Sequence, residues 1–206
     1  MEELSQNQLP FLEKSYPLDR LGPNSRFVDV AGGFGYLSYF LAGRFPEVTF
    51  VVQDLPFIVE QAQKACPAAL RSRISFQSHD ILSPQPTFKQ AAGSGQEEGR
   101  LVFVLKIILH DHADQDCKVI LCNLISAMGP GDRILIIDTV IPEIGGSLSS
   151  SISDLIQLSM FSSGHRTLKE FHALISECGE NLTIQSFTGG AEEFDGMMVI
   201  EIQKSL

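Results

Sequence analysis

Between Arg26 and Asp54 the chain reads strand, glycine turn, helix, strand, and this order restricts the fold more than any other stretch. Phe27-Val-Asp-Val-Ala31 sets apolar and small residues around Asp29, the mark of a short buried strand. Gly32, Gly33 and Gly35 follow almost at once, and Tyr36-Leu-Ser-Tyr-Phe-Leu-Ala42 then repeats apolar residues at helical spacing. Val48-Thr-Phe-Val-Val-Gln53 is a second apolar strand with Asp54 at its carboxyl end. Together they form the first half of a βαβ nucleotide site. Backbone without side chains lets a ligand come close to the turn. A carboxylate at the end of the second strand can accept the hydroxyls of a ribose.

The glycines do not follow the dinucleotide pattern G-x-G-x-x-G. Gly32-Gly33-Phe34-Gly35 lacks the third glycine, and bulky Phe34 and Tyr36 stand where a helix would receive a pyrophosphate. The expectation is a nucleoside ligand without phosphates, of which S-adenosylmethionine, with its product S-adenosylhomocysteine, is the common example.

A net charge of −10 over 206 residues excludes nucleic acid and acidic membrane surfaces as main partners. No apolar run reaches the roughly 18 to 20 residues of a membrane span, and the first residues lack the pattern of a signal peptide. The reading is cytoplasmic. Cys66, Cys117, Cys122 and Cys178 show no C-x-x-C spacing, so reduced, buried thiols are expected.

Along the chain, strand 26–31 leads to helix 34–45, strand 48–53 to helix 57–65, and a short third strand starts at Ile74. Residues 83–99 read as a mobile surface insertion rich in Pro, Gln, Ser and Gly. Leu101–Leu105 is an unbroken apolar strand of the kind covered on both faces. Asp114 is placed as the N-cap of the following helix, and Arg133–Asp138 is a fifth strand. Residues 142–153 read as a Gly/Ser-rich loop before an amphipathic segment, Leu155–Phe161. Thr167 caps a helix to Glu177. Leu182–Phe187 and Met197–Ile202 finish the chain, joined by a connection too short for a helical crossover, so the last strand is expected to insert antiparallel. The fold expected is α/β: a Rossmann-like, seven-stranded, mostly parallel sheet with helices on both faces. Residues 1–24 form a polar N-terminal stub and 25–206 the ligand-binding domain.

Ligands of open α/β sheets lie beyond the carboxyl ends of the strands. That places Gly32, Gly33, Gly35, Asp54, Leu55, Asp80, Ile81, Lys106, His110 and Asp138 around one site. Asp80 suits an adenine amino group, Ile81 the face of the ring, and Lys106 the carboxylate of a methionine tail. His110 titrates near neutrality and can take a proton from a hydroxyl, whose oxygen then attacks the sulfonium methyl in line. Asp138 can orient the imidazole. No metal is expected. A competing reading takes His110-Asp-His112-Ala-Asp114 as part of the H-x-H-x-D-H metal run of metal-dependent hydrolases, but Gln115 stands at its sixth position.

The motifs Val28-Asp-Val-Ala-Gly-Gly-Phe-Gly35, Asp54-Leu-Pro56, His79-Asp-Ile81, Leu105-Lys106, Leu109-His-Asp111 with Asp114, Gly129-Pro-Gly131, Asp138 and Arg166-Thr167 run in one order. In this they resemble the class I S-adenosylmethionine-dependent O-methyltransferases of the caffeic-acid type, from plants and fungal secondary metabolism. The resemblance implies that Gly32, Gly33, Gly35, Asp54, Asp80, Ile81 and Lys106 contact the cofactor and that His110 accepts the proton of a small hydroxylated, aromatic or polyketide-like acceptor. It also implies that Asp138 and His165 flank His110. Ala31 replaces the family's first glycine, Asp138 its glutamate, and His165 an acidic residue. The family also carries a long helical N-terminal region that dimerises. Here a homodimer or a partner chain supplying that region is expected. A non-methylating relative, such as a cyclase or a subunit of a complex that keeps the cofactor pocket, is the alternative function.

Overall fold

The structure is a computed structural model, and it describes residues 11, 12, 15–17, 20, 22, 24–88, 99–146, 148–161, 163–188 and 196–205. The part of the expected insertion at 89–98, the Gly189–Glu193 turn, and Leu9, Leu18 and Leu21 of the N-terminal stretch lie outside the described residues.

The elements are β1 (Arg26–Val30), α1 (Tyr36–Ala42), β2 (Thr49–Asp54), α2 (Pro56–Ala65), β3 (Ile74–Ser78), β4 (Leu101–Lys106), α3 (Asp114–Ala127), β5 (Arg133–Thr139), α4 (Leu148–Phe161), α5 (Leu168–Ser176), β6 (Leu182–Thr188) and β7 (Met197–Lys204). The strands form a seven-stranded sheet in the order β3-β2-β1-β4-β5-β7-β6. β1 to β5 pair in parallel, and β7 enters antiparallel between β5 and β6. The order reverses between β1 and β4, which opens a crevice at their carboxyl ends.

The strands alternate their side chains between two cores. Phe27, Val102, Val104, Leu135, Ile137 and Val199 face α1. Val28, Val30, Phe103, Leu105, Ile134, Ile136 and Ile200 face α3 and α5. Phe11, Leu12 and Tyr16 join the first core and are buried. Tyr16 donates to buried Glu201 of β7, whose other oxygen pairs with Arg20 at 3.3 Å. Burial and the neighbouring Glu201 both push the Tyr16 phenol pKa up.

Three sequence expectations are corrected. α4 begins at Leu148, within the stretch read as a loop; Leu148, Ile152, Leu155 and Ile156 keep helical spacing behind the serines that obscured it. Asp114 is the first residue of α3, not its cap: Ala113 takes the cap position and makes no side-chain cap bond. Cys122 of α3 and Cys178, just past α5, form a disulfide across 56 residues, with Cα atoms 4.7 Å apart, where reduced thiols were expected. Packing of α5 on α3 brings the two sulfurs together. Cys66 and Cys117 are free and buried. Thr167 caps α5 as expected, in a reciprocal capping box with Glu170.

Candidate active site

The glycine turn is shaped from beneath. A Cβ on Gly32 would stand 2.5 Å from the Asp29 carboxyl carbon, so only glycine fits above that side chain. Gly35 opens α1 at φ 81°, and a Cβ there would press to 2.9 Å on Val52. Ala31 also takes a positive φ, 53°, a position at which glycine costs less. Asp54 ties the turn to β2: its two carboxylate oxygens accept the Gly33 N–H at 2.8 Å and the Leu55 N–H at 2.7 Å. A carboxylate oxygen has two acceptor sites, so both oxygens keep a lone pair for a further donor.

Asp29 is buried under the turn and accepts the Ser38 hydroxyl at 2.8 Å. Burial pushes its pKa up to about 6, with Ser38 and the Lys106 charge acting in the opposite direction. Lys106 stands at the end of β4 between Asp29 and Asp138; burial lowers its pKa and the two carboxylates raise it. Ile107 follows at φ 57°, a left-handed conformation that a β-branched residue rarely adopts. Such strain tends to collect at functional sites.

A 3₁₀ turn, Leu109–Asp111, carries His110. The buried His110 Nδ1 lies 2.7 Å from Asp138 Oδ1, and the same oxygen accepts the Thr139 N–H at 2.8 Å. His110 Nε2 lies 3.3 Å from Asp111 Oδ1. Burial opposes charge on the imidazole, but the Asp138 hydrogen bond and charge, helped by Asp111, leave the His110 pKa above its ordinary value. His165 comes alongside, its ring centroid 5.5 Å from that of His110, and its backbone N–H donates to Asp154 Oδ1 at 2.8 Å. Burial, and next the neighbouring His110, lower the His165 pKa below the ordinary imidazole value.

Sequence reasoning missed how this turn is fixed. Buried Arg166 donates to Leu109 O and His112 O, each at 2.7 Å, and its guanidinium pairs with Asp114 Oδ1 at 2.8–2.9 Å. Ser163 donates to His110 O at 2.6 Å. The Arg166-Thr167 pair was visible as a motif, but nothing in it signals contacts more than fifty residues away. Lysine at position 166 keeps the charge and loses the planar fork. Arg166→Lys is expected to cost about 3 kcal/mol of stability, read as a lower urea midpoint at unchanged slope.

The remaining expected residues are less gathered. Asp80 is exposed and spends Oδ1 on the Leu82 N–H at 2.9 Å, while Ile81 packs against the core under α3. Leu55 is exposed at the mouth of the crevice. The His110–His112–Asp114 metal run does not assemble: Asp114 is paired with Arg166, and the potential ligand group found among the described residues is His110, Asp138 and His165. Among those residues no helix is long and apolar enough to cross a membrane.

A parallel sheet with an antiparallel β7 and a glycine turn at its crevice is the fold of class I methyltransferases. Mitomycin 7-O-methyltransferase MmcR superposes with a TM-score of 0.80 at 25% identity, covering 99% of this chain and 54% of that one. LepI in complex with SAM superposes with a TM-score of 0.76 at 26% identity, covering 95% and 48%. The profile of the O-methyltransferase domain family matches residues 11–181, and the chain belongs to that family. O-methyltransferase SAT18 of Stachybotrys chartarum is 61% identical over all of this chain and half of its own length. O-methyltransferase xanE of Aspergillus fumigatus is 35% identical over 84% of this chain and 39% of its own. The chain therefore spans half or less of the length of these curated relatives.

Proposed function

We propose that the protein transfers the methyl group of S-adenosylmethionine to a hydroxyl of a small aromatic or polyketide-like molecule in the cytoplasm, releasing S-adenosylhomocysteine. The observation that carries this reading is the Asp138-held His110 at the same end of the sheet as the Asp54-tied glycine turn. Asp54 would take the ribose hydroxyls, Gly32, Gly33, Gly35 and Leu55 would line the nucleoside, Asp80 and Ile81 the adenine, and Lys106 the methionine carboxylate. His110 removes the acceptor's proton, Asp138 holds the imidazole and steadies its charged form, and His165 lines the acceptor side. The oxygen then attacks the sulfonium methyl carbon as the sulfur leaves. The protein's own contribution is alignment and deprotonation.

The base works only when neutral. Because the His110 pKa is raised, kcat/KM is expected to climb with pH through a midpoint above about 6.5, the ordinary imidazole value. Asp138→Asn removes the raising interaction and should move that midpoint to lower pH. A pH–rate profile unchanged by Asp138→Asn would take His110 out of the rate equation.

A second reading draws on His165, which stands where an acidic residue is expected and lies against His110. A protein with a kept cofactor pocket and altered base machinery would bind S-adenosylmethionine and convert a substrate without methylating it. One of the superposing structures is that of a pericyclic reaction enzyme. Transfer of radiolabelled methyl to any phenol in a panel decides for the first reading, and cofactor binding without transfer decides for the second.

Leu148, Ile152, Leu155, Ile156 and Leu158 of α4 are exposed and apolar. The Met160 and Phe161 side chains of the same helix lie outside the described ones. We propose that a second copy of the chain, or a partner chain carrying a helical region, covers this face.

A further inference from the structure

His110, Asp138 and His165 each offer one ligand atom, and these atoms lie within 4.8 Å of one another. Two of the groups are buried and the third is half-buried, so the cluster is enclosed yet reachable from solvent. Two imidazoles and one carboxylate are a donor set that first-row transition metals accept, zinc among them. We propose that this cluster is a binding site for a divalent transition-metal ion of the zinc type, and that occupancy switches off the acid–base function of His110.

A second observation points the same way. Asp138 is buried, yet among the described residues its Oδ2 has no hydrogen-bond partner while Oδ1 is shared between His110 and Thr139. A buried carboxylate oxygen without a partner is costly, and a cation at the centre of the cluster would satisfy it. The charge balance also suits a dication. Beside the Asp138 carboxylate, Asp111 Oδ1 lies 3.3 Å from His110 Nε2 and Asp154 Oδ1 accepts the His165 backbone N–H at 2.8 Å, so two further carboxylates border the cluster. Of the opposing cations, Arg166 is paired with Asp114, and Lys106 faces Asp29 as well as Asp138.

Tetrahedral zinc with bonds near 2.0–2.1 Å sets its ligand atoms about 3.3 Å apart. The cluster must therefore draw in, and the 163–165 stretch that precedes α5 carries the half-buried member of the set. His165 is the residue that creates the site. An acidic side chain there would leave one imidazole between two carboxylates, a harder oxygen-rich set that suits zinc less.

The regulatory half of the inference rests on the proposed methyl transfer, because a metal on the His110 lone pair removes the base. The metal half does not. Cobalt(II), whose tetrahedral complexes show visible d–d bands, is titrated into the full chain, into His165→Gln and into Asp138→Asn, with far-ultraviolet circular dichroism to check that each variant is folded. The expected result is one equivalent bound by the wild type with intense bands, displaced by zinc(II), and an affinity at least tenfold weaker in both variants. Absence of the bands, or equal affinity in folded variants, overturns the site. Methyl transfer at full rate with one equivalent of zinc bound overturns the switch. A cobalt site in a chain that never transfers methyl sinks the catalytic reading and leaves the metal site standing.

Discussion

His110→Gln is expected to lower the rate constant of methyl transfer by about 10²–10⁴-fold, the usual worth of a positioned general base. Glutamine keeps much of the volume and some hydrogen-bonding capacity opposite Asp138, but it cannot accept a proton near neutral pH. The 3₁₀ turn should survive, since Arg166 and Ser163 hold it by Leu109 O, His112 O and His110 O, none of which depends on the imidazole. Affinity for S-adenosylhomocysteine should therefore stay within about twofold. Single-turnover transfer to a phenolic acceptor, beside calorimetric titration of the product, measures both quantities. A variant that transfers methyl within tenfold of the wild type would leave His110 a structural residue held by Asp138.

Asp54→Ala is expected to weaken S-adenosylhomocysteine binding by about 100-fold or more, close to 3 kcal/mol for charge-assisted hydrogen bonds. Two losses combine. The carboxylate no longer meets the ribose hydroxyls, and the Gly33 and Leu55 N–H groups lose the acceptor that fixes the turn. Asp54→Asn separates them in part, because its carbonyl oxygen can still hold one of the two N–H groups, while the NH₂ that replaces the second oxygen is a donor and cannot accept from a hydroxyl. If Asn binds as weakly as Ala, the ribose contact dominates; recovery of most of the affinity by Asn would assign the effect to the turn. Affinity within threefold of wild type in both variants would remove Asp54 from the site.

What the sequence made legible was local. The glycine turn, the buried runs of β4 and β5 and the Thr167 cap depend on residues a few positions apart, and spacing alone exposes them. His110 was legible by its place after a strand end. The Arg166 contacts, the Asp154 hold on the His165 backbone, and the Ser38–Asp29 bond under the glycines depend on which elements pack together. Composition misled at α4, where serines obscured an apolar periodicity. Asp114 misled because an aspartate at a helix start suits the cap and the first turn equally, and Arg166 decides between them. The Cys122–Cys178 link was illegible because it closes only when α5 lies on α3.

The reversal of strand order between β1 and β4 divides the labour along the chain. On the proposed reading, everything that grips the nucleoside comes from residues 29–81, and everything that moves a proton comes from residues 106–166. Lys106 and its neighbour Asp29 are the seam. Each half is contiguous in sequence and built on different strands, so substitutions can retune or erase the chemistry of one without unmaking the other. A lineage built on such a plan can exchange acceptors, or abandon methylation for another reaction, while its grip on the cofactor is inherited unchanged.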